Sequence, residues 1–361
     1  MKLFIISLIT RRDLQAPLRH FKKIKIIHAY NKAPYNDMDK ADMQDCINQQ
    51  YHGFWDLLML IKKTKPDIIQ GIEPLTFPAG FREYLAILCA NIFFKIPYFF
   101  PMLENRPVNE KFGKFIGFFL KWYLKIYAHL ALFVIPLNKG AVWNLQSINV
   151  SEAKMHKILW GCWGLDVDEF KPDEKVQKEN SFLFVGRLDE SKGIFYLLDA
   201  FKEFCKKERS YKLIFVGDGP LSGYIKKYAA NHGLENFLEL KGIIKNKELP
   251  YYFQKSILTI SPSITVRRWV EQVGMVNIQS MACGTPVLST ISGAIPEYVP
   301  KQAGILVKER DSVALKEAMD VLVNDKEKLK NMSQFGRQYV LENYDEKESI
   351  RKAEEFLLVK H

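Results

Sequence analysis

The feature that most constrains this chain is a repeated alternation of short apolar runs, often closed by Gly or Ser-Pro, with segments of helical spacing. Strand then helix, many times over, is the pattern of parallel sheets with helices on both faces. It is plainest in the second half. Ser181 to Val185 reads as a strand closed by Gly186, the stretch from about Gly193 to Cys205 as a helix, and Lys212 to Val216 as a strand closed by Gly217. The rhythm continues through a helix at Leu221 to Ala230, a strand at Phe237 to Leu240 and a helix at Leu249 to Gln254. A strand at Ile257 to Ile260 before Ser261-Pro262-Ser263, a helix at Val273 to Cys283 and a strand at Pro286 to Ser289 complete it. The first half places strands at Lys2 to Ile9, Ile24 to His28, Ile68 to Gly71 and Tyr98 to Pro101.

A chain of 361 residues is long enough for two such domains. The break falls in Asp166 to Asn180, where Pro172 and the charged run KPDEKVQKEN interrupt the apolar pattern. The expected division is therefore 1–165 and 166–344, with 345–361 a charged helix that crosses back to the N-terminal domain.

Composition removes several classes. Five cysteines, none at C-x-x-C spacing, argue against a disulfide framework or a cysteine metal site and favour a reducing compartment. No histidine pair is spaced i, i+4, so no metal is expected. The apolar run Leu3 to Ile9 reads as a first strand rather than a secretion signal. No run approaches the roughly 20 apolar residues of a membrane-spanning helix. A cytoplasmic protein is the expectation. The formal charge of +11 favours a polyanion, whether nucleic acid, an anionic membrane surface or a phosphorylated ligand.

Ligands of open parallel sheets collect beyond the carboxyl ends of strands, where helix N-termini offer N–H groups to anions. In FLFVGRLDESKG, Arg187 follows a strand and Lys192 comes five residues later. Two cations from one turn suit a diphosphate; a solvated basic turn is the equal alternative. In SPSITVRRWVEQVGMVNIQSMACGTPV, Glu271 lies in a polar loop before the helix opening at Met275, and Gly274 lets backbone approach a ligand. Glu271 can accept from sugar hydroxyls and Gln279 can bond ribose hydroxyls; otherwise Glu271 caps a helix and Gln279 is solvated.

Together VGRLDESKG, VGDGP, LKGII, SPS, EQVGMVNIQSMACGTPV and GAIPEYV resemble the donor-binding half of the retaining family 4 glycosyltransferases. Gly164-Leu165-Asp166 and Phe170-Lys171-Pro172 are similar to that family's interdomain hinge. The resemblance spans about Pro136 to Tyr344 and implies the α/β GT-B fold of two facing Rossmann-like domains. It implies sugar transfer from a nucleotide-sugar to an acceptor hydroxyl with retained anomeric configuration, needing neither metal nor other cofactor. Arg187 and Lys192 would neutralise the diphosphate. Gly186 and the backbone of Gly274, Met275 and Val276 would line the donor, Glu271 would contact its sugar, and Gln279 its ribose.

Four departures stand out. Gln279 occupies the place of the second glutamate of the family motif, keeping its hydrogen-bonding shape without its charge, and Val273 replaces a common phenylalanine. The passage ISLITRRDLQAPL lacks the glycine pair that often follows the first strand; Arg11 or Arg12 reaching phosphate is less expected than a solvated turn. DIIQGIEP carries Gln70 and Glu73 where a histidine is common. Glu104 in FPMLENRP is the favoured acceptor-side carboxylate, or else a loop charge beside Arg106.

Lys111 to Leu137 is dense in aromatics, with Lys114, Lys121 and Lys125 near one face if it is helical. This suits adsorption to an anionic membrane presenting a lipid-linked acceptor; a helix packed on its own sheet is the alternative. The leading expectation is a glycosyltransferase building a cell-surface polysaccharide, glycolipid or glycan, cytoplasmic and peripheral on the membrane's cytoplasmic face. Another GT-B enzyme such as an epimerase, and a degenerate sugar-nucleotide-binding protein without turnover, are the competing readings. Nucleic acid is not an expected partner, since no recognised module accompanies the basic residues.

Overall fold

The computed structural model describes residues 1–32, 46–158, 164–267 and 269–360. Cys162, His361 and Arg268 lie outside these; no disulfide links the other four cysteines. The chain forms two units, residues 1–164 with 345–361 and residues 165–344. Leu165, assigned to the first domain from sequence, belongs to the second.

The first unit contains β1 (Lys2–Ile9), β2 (Lys25–Lys32), β3 (Ile47–Gln50), β4 (Ile68–Gln70), β5 (Tyr98–Met102) and β6 (Phe133–Pro136). All pair in parallel, in the order β3-β2-β1-β4-β5-β6. The second unit repeats the scheme with β7 (Glu179–Val185), β8 (Lys212–Val216), β9 (Leu238–Leu240), β10 (Ser256–Ser261), β11 (Val287–Thr290) and β12 (Gly304–Val307). Its order is β12-β11-β10-β7-β8-β9, again parallel throughout. Numbered within each unit, both sheets read 3-2-1-4-5-6, the Rossmann order, which reverses direction between the first and fourth strands. These reversals, β1 beside β4 and β7 beside β10, are where such sheets open a crevice.

Strand composition explains the burial. β5 is buried at every residue, β1 and β8 are buried through most of their length and β2 through half of it, as expected of strands covered on both faces. Three strands carry no clear sequence signal. β3 (INQQ) is polar because it is an edge strand, and β12 is a four-residue edge. β6 lies inside the aromatic-rich stretch Lys111 to Leu137, whose lysines fall near one face only if the segment is helical. There the helices Val108–Phe112 and Lys114–Leu130 flank Gly113, which adopts φ +82°, and the chain turns extended at Ala131 before β6.

The last helix, Glu346–Lys360, packs on the first unit. Its Ala353 and Leu357 are buried among Leu3, Ile5, Phe99 and Phe133, and Phe356 meets Phe133 edge-on at 5.1 Å. Glu354 Oε1 accepts from the backbone N–H groups of Lys22, Lys23 and Ile24 at 3.0, 2.7 and 2.9 Å. Glu346 accepts from Arg19 at 2.6 Å and lies 2.8 Å from His20. Charge-assisted bonds to a buried carboxylate are among the stronger polar contacts available to a helix on a sheet.

Candidate functional site

At the crevice of the second unit, the chain leaves β7 through Gly186 and makes a tight turn. Asp189 caps the turn Glu190–Lys192, accepting from Ser191 N at 2.9 Å and Ser191 Oγ at 2.5 Å, and Arg187 Nε donates to the same carboxylate. Burial raises the Asp189 carboxyl, but the bonds from Ser191 and Arg187 outweigh it and hold the group below the usual carboxylate range. Arg187 remains mostly solvent-exposed.

Gly193 then takes φ +67°, and a Cβ there would stand 1.8 Å from Pro262 O. Only glycine permits this approach. It brings the turn against the end of β10, where Ile264 N donates to Ser191 O at 2.8 Å. In consequence Lys192 Nζ meets Glu271 Oε2 at 2.8 Å, Ser263 Oγ donates to that oxygen at 2.9 Å, and Nζ lies 4.2 Å from the Trp269 ring centroid. The polar loop is pinned on its other side by Ala294 N donating to Glu271 O at 2.9 Å. Glu271 is thus an ion-pair partner rather than a helix cap.

The helix Met275–Ala282 opens three residues later. Its N-cap, Gly274, sits at φ +82° and supplies no side-chain cap, so the first-turn N–H groups have no side-chain acceptor there. Met275 and Val276 are half-buried. Gln279 is only 7% exposed, which overturns the solvated alternative; it follows Met275 by four residues, on the same helix face. Buried Asn277 accepts from Ser261 Oγ at 2.5 Å, tying helix to strand end. The crevice therefore combines two cations, each paired with a carboxylate, and a helix N-terminus, a set suited to an anion that also carries hydroxyls.

The first unit has a different crevice. A cavity of about 320 Å³ lies at the ends of β1, β4 and β5, walled by Ile5, Leu8, Ile9, Leu14, Ile72 and Leu103, with Arg11, Gln70 and Glu73 among its polar groups. Gln70 Oε1 is buried and has no hydrogen-bond partner among the described residues. Glu73 accepts from Leu103 N, yet burial pushes its carboxyl up to about 8 and the neighbouring charge of Glu104 adds to this. At neutral pH it holds a proton. Behind Ser7, which lines the cavity, His28 Nδ1 faces Asn48 Oδ1 at 3.0 Å while Nε2 lies 3.1 Å from Ser7 Oγ. Burial lowers this imidazole to about 4, against the bond to Asn48, so it is neutral.

Glu104 is not among the residues walling this cavity. Its buried carboxylate pairs with Lys111 and accepts from Arg106 N at 3.0 Å, while its carbonyl accepts from Asn144 Nδ2 at 2.9 Å. The carboxyl group that faces open volume is Glu73, which sequence reasoning noted only as a departure; its place three residues after the end of β4 was the available signal. Ser263 and Trp269 were likewise not singled out, though both lie in the quoted SPS-to-EQVG segment.

Residues 166–339 match the family model described as glycosyl transferases group 1. The second unit belongs to the glycosyl transferases group 1. This group 1 unit carries the whole Arg187–Gln279 crevice. Among curated relatives, the chain is 29% identical over 195 residues to the uncharacterized glycosyltransferase MJ1607 of Methanocaldococcus jannaschii, covering 50% of this chain and 48% of that one. It is 26% identical over 190 residues to the GDP-mannose-dependent alpha-(1-6)-phosphatidylinositol monomannoside mannosyltransferase of Mycobacterium tuberculosis, covering 49% of each. The chain thus spans about half the length of the curated relatives it matches. Anabaena Alr3699/HepE, solved in complex with UDP, superposes with a TM-score of 0.80 at 16% identity over 99% of this chain and 100% of that one. The fold of the chain is therefore GT-B.

Proposed function

We propose that the chain is a retaining glycosyltransferase that moves a sugar from a nucleotide-sugar to an acceptor hydroxyl. Its setting in this reading is the synthesis of a cell-surface polysaccharide, glycolipid or glycan, with a glycan or lipid-linked acceptor at the cytoplasmic face of a membrane. The observation that carries it is the Lys192–Glu271–Ser263 cluster beside the uncapped helix start at Gly274, inside the segment that matches the group 1 transferases.

Each group has a task in this reading. As the bond from the sugar's anomeric carbon to phosphate breaks, negative charge grows on the departing diphosphate. Lys192, held in place by Glu271 and still carrying two further N–H donors, takes up part of that charge, and exposed Arg187 takes up more. The N–H groups at Met275 and Val276 face the phosphates with the positive end of the helix dipole. Glu271, an acceptor only, is oriented by Ser263 and Lys192 and bonds sugar hydroxyls. Gln279 bonds ribose hydroxyls without adding negative charge. The diphosphate is neutralised by side chains and backbone, and no cofactor besides the nucleotide-sugar enters.

The test is turnover of a panel of UDP-, GDP- and ADP-sugars by purified protein, with and without a membrane-lipid extract, following released nucleotide and labelled product. Glu271→Ala is expected to lower turnover about 100-fold or more with the fold intact, and Arg187→Ala or Lys192→Ala to weaken donor binding about tenfold. Unchanged turnover in all three variants would remove this assignment.

A further inference from the structure

The helix Lys114–Leu130 has two apolar faces, and only one is used. Gly117, Leu120, Leu124, Tyr127 and Ala128 are buried against the first unit. On the opposite side Phe115, Phe118, Phe119 and Trp122 are 78, 67, 54 and 63% exposed, followed by Ile126. Their spacing of three and four makes a single stripe along the helix. Phe81 extends it, packed 6.5 Å from the Tyr123 ring and itself exposed. A helix hydrophobic all round is normally buried all round, and a contiguous exposed apolar face of this kind marks a surface with a partner.

The charges say which partner. Lys114, Lys121 and Lys125 recur at spacings of seven and four, so they line one edge of the stripe, and the helix contains no acidic residue. The rings pack edge-to-face, Phe115 on Phe119 at 5.2 Å and Phe118 on Phe119 at 5.6 Å, making a continuous apolar surface rather than separate blades for stacking bases. With three lysines the helix is not one that can cross a membrane. Lying flat, its length of about 25 Å presents aromatics to acyl chains and lysines to headgroups.

We infer that the Phe115–Ile126 stripe is the surface by which this chain docks on a membrane of anionic lipids. The inference rests on the membrane setting proposed for the acceptor, and on nothing in the Lys192–Glu271 crevice. Lysines supply attraction to anionic headgroups at the surface, and the aromatic stripe supplies the apolar area that enters the boundary layer.

The experiment uses the full chain with vesicles of phosphatidylcholine alone and of phosphatidylcholine mixed with phosphatidylglycerol. Wild type is expected to sediment with the mixed vesicles and to be released by salt. The double variant Phe118→Asp/Trp122→Ser should partition at least about tenfold less, and Lys114→Ala/Lys121→Ala/Lys125→Ala should bind several-fold less with a flatter salt dependence. A thermal melt and turnover with a water-soluble acceptor, both unchanged, establish that the variants fold. The inference is overturned if wild type stays in the supernatant, if the variants bind as well as wild type, or if the chain is a dimer that Phe118→Asp splits. Vesicle binding without nucleotide-sugar turnover would instead count against the donor reading alone.

Discussion

The two crevices of this molecule occupy the same topological position and have opposite chemistry. In the second unit, the end of β7 is drawn against the end of β10 by Gly193, and charged groups converge on an uncapped helix start. In the first unit the end of β1 has no glycine, and the corresponding space is a largely apolar cavity whose carboxyl, Glu73, is held neutral. Strand order fixes where a ligand can sit; the turn residues after the strands decide what kind it can be. Glycine in the turn brings backbone and charged side chains together, whereas SLITRR keeps side chains between the strand ends and leaves a largely apolar space.

The comparison breaks most sharply at Gly193. Gly193→Ala forces a positive φ on a residue with a Cβ and drives that Cβ into Pro262 O, at an expected cost of about 3 kcal/mol in chemical denaturation, with loss of donor turnover. Stability and turnover equal to wild type would mean that the close approach of turn and strand is not what builds the charged crevice.

A smaller effect sharpens the other side. Glu73 titrates higher in the native state than in the unfolded chain, so its contribution to stability is present at low pH and is lost as pH rises through about 8. Between pH 7 and 9 wild type should lose about 1 kcal/mol more than Glu73→Gln, which keeps the shape without a titrating proton. Parallel pH profiles of the two proteins would show that the first crevice does not hold a neutral carboxyl.

The smallest expected change is at Gln279. Because ribose hydroxyls need partners rather than an anion, Gln279→Glu should alter donor affinity by no more than about threefold. A large loss would show that the amide donates a bond that a carboxylate cannot, and that this crevice is tuned against a second negative charge.

Much of the second unit could be read directly because its signals are local. Gly186, Arg187 and Lys192 fall in one strand-turn segment, and Glu271, Gly274 and Gln279 in one loop-helix segment. The sequence favours Glu104 as the acceptor-side carboxylate and offers no reason to prefer Glu73. Both follow strand ends, and sequence carries no record that Lys111 folds back onto Glu104 while Glu73 is left facing open volume.

By itself the sequence determined the alternation of strands and helices, and with it parallel sheets, because a short continuous apolar run ended by glycine and followed by helical spacing has few other solutions. It also determined the residue types at each strand end. Only the tertiary structure decided which of them meet: Lys192 with Glu271 across 79 residues, Glu354 with the N–H groups of Lys22 to Ile24 across more than 300, and an aromatic helix face left uncovered. The reason is that pattern depends on neighbours along the chain, whereas pairing and exposure depend on which segments the folded sheets bring side by side.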